Sequence, residues 1–403
     1  MKTIQRDEYL EGLKRWKDKQ IIKVVSGVRR CGKSTLFDIY KKFLLSTGVT
    51  DTQIISINFE DIDYEDLNTA KTLYAYIKIK LQQDKMNYIF LDEVQHCEGF
   101  EKAVDSLFIK ENCDVYITGS NAYFMSGELS TLLSGRYVEI EMLPLSFSEF
   151  VRALDPPYNN LSAREKFNLY IEYGSFPFIA KYNTFTDDSK DYLKGIFDTI
   201  LNKDIARRLS ISDTASLENV SKFLLHSIGS KISPTKIANT LKSSGKSVDQ
   251  KTVDKYIKGL KDAMLVYEAS RYNIKGRQYL TTQSKYYAVD IGMRNSLVKT
   301  GESDIGHILE NIVYLELRRR KKTVYVGEMD SGEVDFVTIN GNDYEYFQVA
   351  ATTLEEATLR RELAPFENIR DNYPKYLLTL DDVFANENYN GVIKLNVLDW
   401  LLT

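Results

Sequence analysis

Short apolar runs alternate with amphipathic stretches through the first 150 residues. The runs occupy residues 21–25, 54–59, 88–92, 114–120 and 137–143. Strands covered on both faces read as continuous runs of this kind, so the pattern predicts a parallel sheet with helices on either side, an α/β fold. A Pro-Pro pair, Pro156 and Pro157, marks the first boundary. Residues 161–210 carry helical patterning, expected as a small bundle or lid. Over 215–290 three helical patterns precede two short strands, around 265–272 and 279–289, the order of a winged helix-turn-helix. The last hundred residues begin with a helical segment at 305–322 and continue with strands at 323–329, 333–340 and 344–350, expected as a separate α/β domain. The divisions this reading gives are 1–155, 156–212, 213–292 and 293–403.

Composition changes the picture in three respects. With 403 residues, 43% of them hydrophobic and 27% charged, the chain has material for about three ordered domains. No apolar run approaches the roughly 18 to 20 residues of a membrane helix, and the start lacks a signal-peptide core, so a cytoplasmic protein with no membrane partner is expected. Cys31, Cys97 and Cys113 form no Cys-x-x-Cys pair, and His96, His226 and His307 are scattered, which argues against a disulfide framework and against His-based metal sites. Net charge is −4, but residues 215–277 hold 12 Lys or Arg against 5 Asp or Glu, a local +7 that leaves −11 elsewhere. That segment reads either as a polyanion-binding surface or as a solvated lysine-rich face.

The candidate chemistry begins at residues 27–34, Gly-Val-Arg-Arg-Cys-Gly-Lys-Ser, which follow an apolar strand and open a helix near Thr35. Gly27 and Gly32 let the backbone N–H groups of the loop, through Val28, Arg29, Arg30 and Cys31, turn around phosphate oxygens, and the helix N-terminus adds positive potential. Lys33 is expected on the β and γ phosphates of ATP and Ser34 on a magnesium ion. A second apolar strand ends in Asp92-Glu93. Asp92 would hold magnesium through water, and Glu93 would polarise an attacking water. A kinase has no need of Glu93, and the base reader of a GTPase is not matched by Asn202-Lys203-Asp204-Ile205, so ATP hydrolysis is the expected reaction. Ser120 and Asn121, ending the next run, are placed to orient the water, although a turn explains them equally well. Arg136 is a candidate arginine finger, in cis or from a neighbouring subunit, or else a surface arginine. Cys31 lies beside Lys33 at a helix N-terminus, a setting that lowers a thiol pKa and would let oxidation block ATP, but the expected reading is a tolerated small side chain.

The segments SGVRRCGKSTL, YIFLDEVQ, YITGSNA and LSGRYVEIEMLPLSFSEF resemble the AAA-type bacterial and archaeal ATPases whose C-terminal domain has no known function. The likeness runs on through Glu172 to Pro177, Asp204-Ile205 and Glu333 to Phe336, nearly the whole chain. It implies a sheet of order 5-1-4-3-2 and supports Arg136 as the functional arginine. It supplies no physiological role.

Two further features bear on partners. In the third helix of the basic segment, Val253, Tyr256, Ile257 and Leu260 form one apolar stripe, while Lys251, Thr252, Lys255, Lys258 and Lys261 fall largely off it. Such a helix packs inward and offers Lys255 and Lys258 to DNA phosphates and Thr252 to a base edge, or else serves as a protein-binding module. Tyr267, Tyr272, Tyr279, Tyr286 and Tyr287 read as stacking groups or, more commonly, as core. In the last domain Glu310, Glu333, Asp335 and Gln348 follow the layout of restriction-endonuclease-like domains, but Ala350 stands where the catalytic lysine is expected, which suggests a degenerate nuclease. The reading expects a magnesium-dependent ATPase acting as a switch on nucleic-acid or protein binding, with a homo-oligomer if Arg136 acts in trans. Its rivals are a nucleotide-sensing DNA-binding regulator with negligible turnover and an ATP-gated nuclease.

Overall fold

A computed structural model describes residues 3–119, 133, 135–246, 248–299, 301, 304–320, 322–329 and 332–403. The chain divides into two compact units, Met1–Pro144 with Asp262–Met264, and Leu145–Lys261 with Leu265–Thr403. The first contains α1 (Asp7–Arg15), β1 (Ile22–Gly27), α2 (Lys33–Ser46), β2 (Ile54–Asn58), α3 (Ala70–Lys80), β3 (Asn87–Asp92), α4 (Phe100–Phe108), β4 (Cys113–Thr118) and β5 (Tyr137–Met142).

Its strands form one sheet in the order β2-β3-β4-β1-β5, every pair parallel. This is the predicted order read from the other edge. The central strands β1, β3 and β4 are buried at every position, whereas the edge strands β2 and β5 alternate with exposed residues. Helix α4 shows how one face is covered: Phe100, Ala103, Val104 and Leu107 recur at helical spacing and are its buried residues, joining Ile89, Leu91, Val115 and Ile117 in one cluster. Phe37 and Tyr40 of α2 pack on Phe90 and Tyr116. Inside this core Lys23 of β1 is ion-paired with Asp114 of β4, both fully buried. The Tyr116 hydroxyl and the Asp18 backbone N–H also donate to Asp114, at 2.7 and 2.9 Å.

Register brings the chemistry to one edge. Asn58 lies opposite Asp92, Val25 opposite Thr118, and Gly27 opposite Met142, so the carboxyl ends of β1, β3 and β4 emerge side by side. Ligands bind at that edge of open α/β sheets.

The second unit begins with α5 (Phe147–Ala153), α6 (Ala163–Tyr173), α7 (Pro177–Tyr182) and α8 (Asp187–Thr199), which runs on into a π-helical stretch, Ile200–Ala206. Then follow α9 (Thr214–His226), β6 (Lys231–Ile232), α10 (Pro234–Ser243), α11 (Gln250–Asp262), β7 (Val266–Asn273) and β8 (Gln278–Ala288). Three helices, a short strand after the first and a closing hairpin are the element order expected of a winged helix. The chain continues with α12 (Ile291–Leu297), α13 (Ile305–Arg319), β9 (Thr323–Met329), β10 (Gly332–Asn340), β11 (Asp343–Ala350), α14 (Glu356–Leu363), β12 (Lys375–Thr379), β13 (Asn388–Tyr389), β14 (Val392–Asn396) and α15 (Val397–Leu402). All nine strands form one mixed sheet, β13-β14-β12-β11-β10-β9-β7-β8-β6. Residues Arg271 to Asn273 pair parallel with Val326 to Glu328, so the sheet crosses the boundary drawn in the sequence between residues 292 and 293. Among the described residues no helix is long and apolar enough to cross a membrane.

Candidate nucleotide site

Strand β1 ends at Gly27, and the next six residues wrap back to the first turn of α2. Gly27 and Gly32 have φ of 150° and 107°. A Cβ on Gly27 would lie 2.3 Å from the Met142 carbonyl oxygen and 2.8 Å from the Cys31 sulfur, so only glycine fits there. The loop is anchored from below by Arg6, a buried side chain just before α1. Its Nη1 donates to the Cys31 carbonyl at 3.0 Å and its Nη2 to the Leu143 carbonyl at 2.6 Å. Nothing in the local sequence around Arg6 signals this role.

Lys33 is 5% exposed and folds over the loop, its ammonium donating to the Gly27 carbonyl at 3.1 Å and lying 3.8 Å from a Glu93 carboxylate oxygen. The Ser34 hydroxyl is hydrogen-bonded to the Asp92 carboxylate. Burial pushes the Asp92 carboxyl above its ordinary value, against the opposing hydrogen bonds from Ser34 and Thr118. Glu93 sits in the left-handed region, φ 54°, and its carboxylate accepts from the Gln95 amide at 2.6 Å. Such a conformation in a residue other than glycine is held by its surroundings. Thr118 supplies part of that hold: its hydroxyl donates to Asp92 and accepts the Glu93 backbone N–H at 3.0 Å. Sequence reasoning passed over Thr118 in favour of Ser120 and Asn121, which lie outside the described residues. Glu60, Glu93 and His96 also present ligand atoms within 4.8 Å of one another, and Arg29 lies 3.6 Å from Glu60. Val28 is buried, Arg30 and Thr35 exposed.

Cys31 and Arg136 are each open to more than one reading from the sequence. Cys31 is wholly buried, and burial raises its thiol pKa despite Lys33 and Arg6 nearby, so it is a packed side chain and not a reactive thiolate. Arg136 does not reach this loop in cis. Its carbonyl accepts the N–H of Ile22 at the start of β1, at the far end of a strand whose six residues span roughly 17 Å. Its side chain lies 3.7 Å from Asp105 and over the Phe108 ring.

Comparison with known proteins agrees with this geometry. Residues 19–151 match an AAA domain, and residues 164–304 match a domain of unknown function (DUF8612). An uncharacterized protein of Haemophilus influenzae is 39% identical over 99% of this chain and 98% of its own length. A second, from Methanocaldococcus jannaschii, is 31% identical over 94% of this chain and 85% of its own. The chain belongs to the family of these two proteins and carries an AAA domain at residues 19–151. Among solved structures, a Walker-type ATPase of Pyrococcus abyssi is similar at 16% identity and a TM-score of 0.49, covering 73% of this chain and 95% of that one.

The second unit holds the other candidate residues. Along α11, Val253, Tyr256, Ile257 and Leu260 are buried and Lys251, Lys255 and Lys258 exposed. Thr252 is engaged locally: its N–H and hydroxyl donate to the Asp249 carboxylate at 3.0 and 2.7 Å, which closes its own helix end. The Lys255 ammonium donates to the Leu209 carbonyl at 2.9 Å.

Glu310 of α13 and Glu333 and Asp335 of β10 do converge, and the ammonium that Ala350 cannot supply comes from another strand. Lys285 of β8 lies 2.8 Å from Glu310, 2.6 Å from Glu333 and 3.8 Å from Asp335. Tyr287 donates to Glu310 at 2.7 Å, Gln348 to Glu362 at 2.9 Å, and Lys231 lies 2.7 Å from Glu333. Burial, then the neighbouring Glu310, pushes the Asp335 carboxyl up to about 8. Burial also works to raise Glu310, but Lys285, His307 and Tyr287 outweigh it and hold it below its ordinary value.

Proposed function

We propose that the protein hydrolyses ATP with magnesium and uses its nucleotide state to control binding of a nucleic-acid or protein partner. The observation that carries the reading is the meeting of Lys33, Ser34, Asp92, Glu93 and Thr118 at the carboxyl edge of one parallel sheet.

In this reading the N–H groups from Gly27 to Thr35 and the Lys33 ammonium hold the triphosphate. Ser34 and Asp92 are hard oxygen donors already in hydrogen-bond contact, a pair that fits a magnesium ion directly or through water. Bound there, magnesium would neutralise charge on the β and γ phosphates. Glu93 accepts a proton from, and orients, the water in line with the terminal phosphate. Thr118 keeps Asp92 and Glu93 in register. Arg136, placed away from its own loop, would act at the loop of a second copy, which makes hydrolysis dependent on assembly. The exposed lysines of α11 are the partner surface for a phosphate backbone, with contacts that position more than they read sequence.

Phosphate release and ATP binding by Glu93→Gln test the reading. Turnover falls about a hundredfold or more with ATP affinity kept. Unchanged turnover would remove Glu93 from the mechanism, and wild-type protein that binds ATP without turnover would favour a nucleotide-sensing regulator.

A further inference from the structure

Four of the five tyrosines singled out in the hairpin region, Tyr267, Tyr272, Tyr286 and Tyr287, are buried as core residues. Tyr279 is the exception, with 62% of its surface in solvent. It does not stand alone. Its ring lies 5.2 Å from that of Tyr325 and 5.4 Å from that of Tyr272, Tyr272 lies 6.3 Å from Tyr344, and Tyr344 lies 5.2 Å from Tyr373. Apart from Tyr272 these rings are partly or largely open to solvent. They make one aromatic stripe across β7, β8, β9 and the start of β11.

Cations border the stripe. The Arg277 guanidinium lies over the Tyr344 ring at 5.5 Å. Arg277 also lines a cavity of about 630 Å³ together with Ile274, Lys275, Met329, Arg370 and Asp371. A second cavity of about 800 Å³ shares Asp371 and is lined by Tyr373, Tyr389 and Glu367 among others. Asp371 is the acid common to both, and its charge is met by Lys375 at 3.4 Å and by the Tyr346 hydroxyl at 2.6 Å. Arg277 and Arg370 are exposed, and with Asp371 already met by Lys375 they give the cavity beside the rings a positive face in a chain of net charge −4.

We propose that this tyrosine stripe and the cationic cavity beside it bind single-stranded nucleic acid. Exposed Tyr279 and the partly exposed Tyr325, Tyr344 and Tyr373, which rest on the core around Tyr272, offer base-stacking edges and faces, and flanking arginine groups follow the phosphates between bases. The faces of duplex bases are already stacked on each other, so only an unpaired strand can use the rings. Arg277 over Tyr344 fits both roles, since a guanidinium stacks on rings and pairs with phosphate. The surface is separate from the lysines of α11. The inference adds a second nucleic-acid surface to the proposed function, and it rests on the second unit without requiring ATP chemistry.

Fluorescence anisotropy of the full chain, without nucleotide, tests it with labelled oligothymidylate and oligouridylate of about twenty nucleotides. The expected results are binding that weakens about tenfold or more in Tyr279→Ala with Tyr325→Ala, and near-wild-type binding in Tyr279→Phe, which keeps the ring. Two cations, Arg277 and Arg370, on a single strand predict a logarithmic salt slope of about −1.4, or about 7-fold weaker binding from ~50 to ~200 mM salt, flattened in Arg277→Ala with Arg370→Ala. ATP binding by the same variants, measured by calorimetry, reports both folding and the first site, so loss of one function is distinguished from loss of the other. The proposal is overturned by absence of oligonucleotide binding, by binding indifferent to the tyrosine variants, or by oligonucleotide binding lost instead in Lys251→Ala with Lys258→Ala. Competition by a polyanion without bases, at equal strength, would also overturn it.

Discussion

Thr118 joins two carboxylates that play different parts, and its replacement separates them. In Thr118→Val, Asp92 loses a donor and the Glu93 N–H loses its acceptor, a defect of about 1–3 kcal/mol for each buried group left unsatisfied. Turnover should fall by tenfold or more while ATP affinity changes little, because the threonine touches Asp92 and Glu93, the groups proposed to hold magnesium and water, and not the loop amides. Phosphate-release kinetics beside calorimetric ATP titration check this, and an equal loss of both would place Thr118 in nucleotide binding instead. Cys31 carries a contrary expectation. Its buried thiol, raised in pKa, should resist alkylation in the folded protein and react only on unfolding, as mass spectrometry of iodoacetamide-treated samples would read.

At the scale of elements, two buried ion clusters fix strand neighbours. Lys23 ties β1 to β4 through Asp114; Lys23→Met strands a buried carboxylate and should cost about 3–5 kcal/mol, seen as a lower urea midpoint. Adding Asp114→Asn should recover part of it, since the two changes share one interaction. The second cluster ties β8 to β10 and α13 through Lys285. Asp335 is held at about 8, above its unfolded value near 3.8, so it favours the folded state fully below about pH 4 and loses that contribution as pH rises through about 8. Asp335→Asn should flatten that decline, measured as urea midpoints across the interval; an unchanged slope would assign the pH dependence to other groups. With Lys285 already seated among the three carboxylates, supercoiled plasmid should survive magnesium or manganese uncut.

For the whole molecule, the role proposed for Arg136 at the loop of a second copy makes activity depend on assembly. If it serves a second copy, specific activity rises with protein concentration and Arg136→Ala abolishes the rise while leaving ATP affinity intact; activity independent of dilution would return Arg136 to the surface. What was legible in the sequence follows the same logic of distance. Gly27 to Ser34 and Asp92-Glu93 are contiguous signatures, and the continuous apolar runs foretold the parallel sheet because strands buried on both faces leave that trace. Arg6, Thr118 and Lys285 act through partners between 25 and 137 residues away, brought near only by strand register and packing, so no local pattern marked them. Tyr279 was visible as one of several strand aromatics, but its exposure belongs to the sheet and not to the sequence. The most direct test of the account is titration of the full chain with magnesium ATP by calorimetry, for wild type and Lys33→Ala. Saturable binding by wild type, weakened about a hundredfold or more in the variant, is the expected result; no heat from wild type, or equal affinity in both, would contradict it.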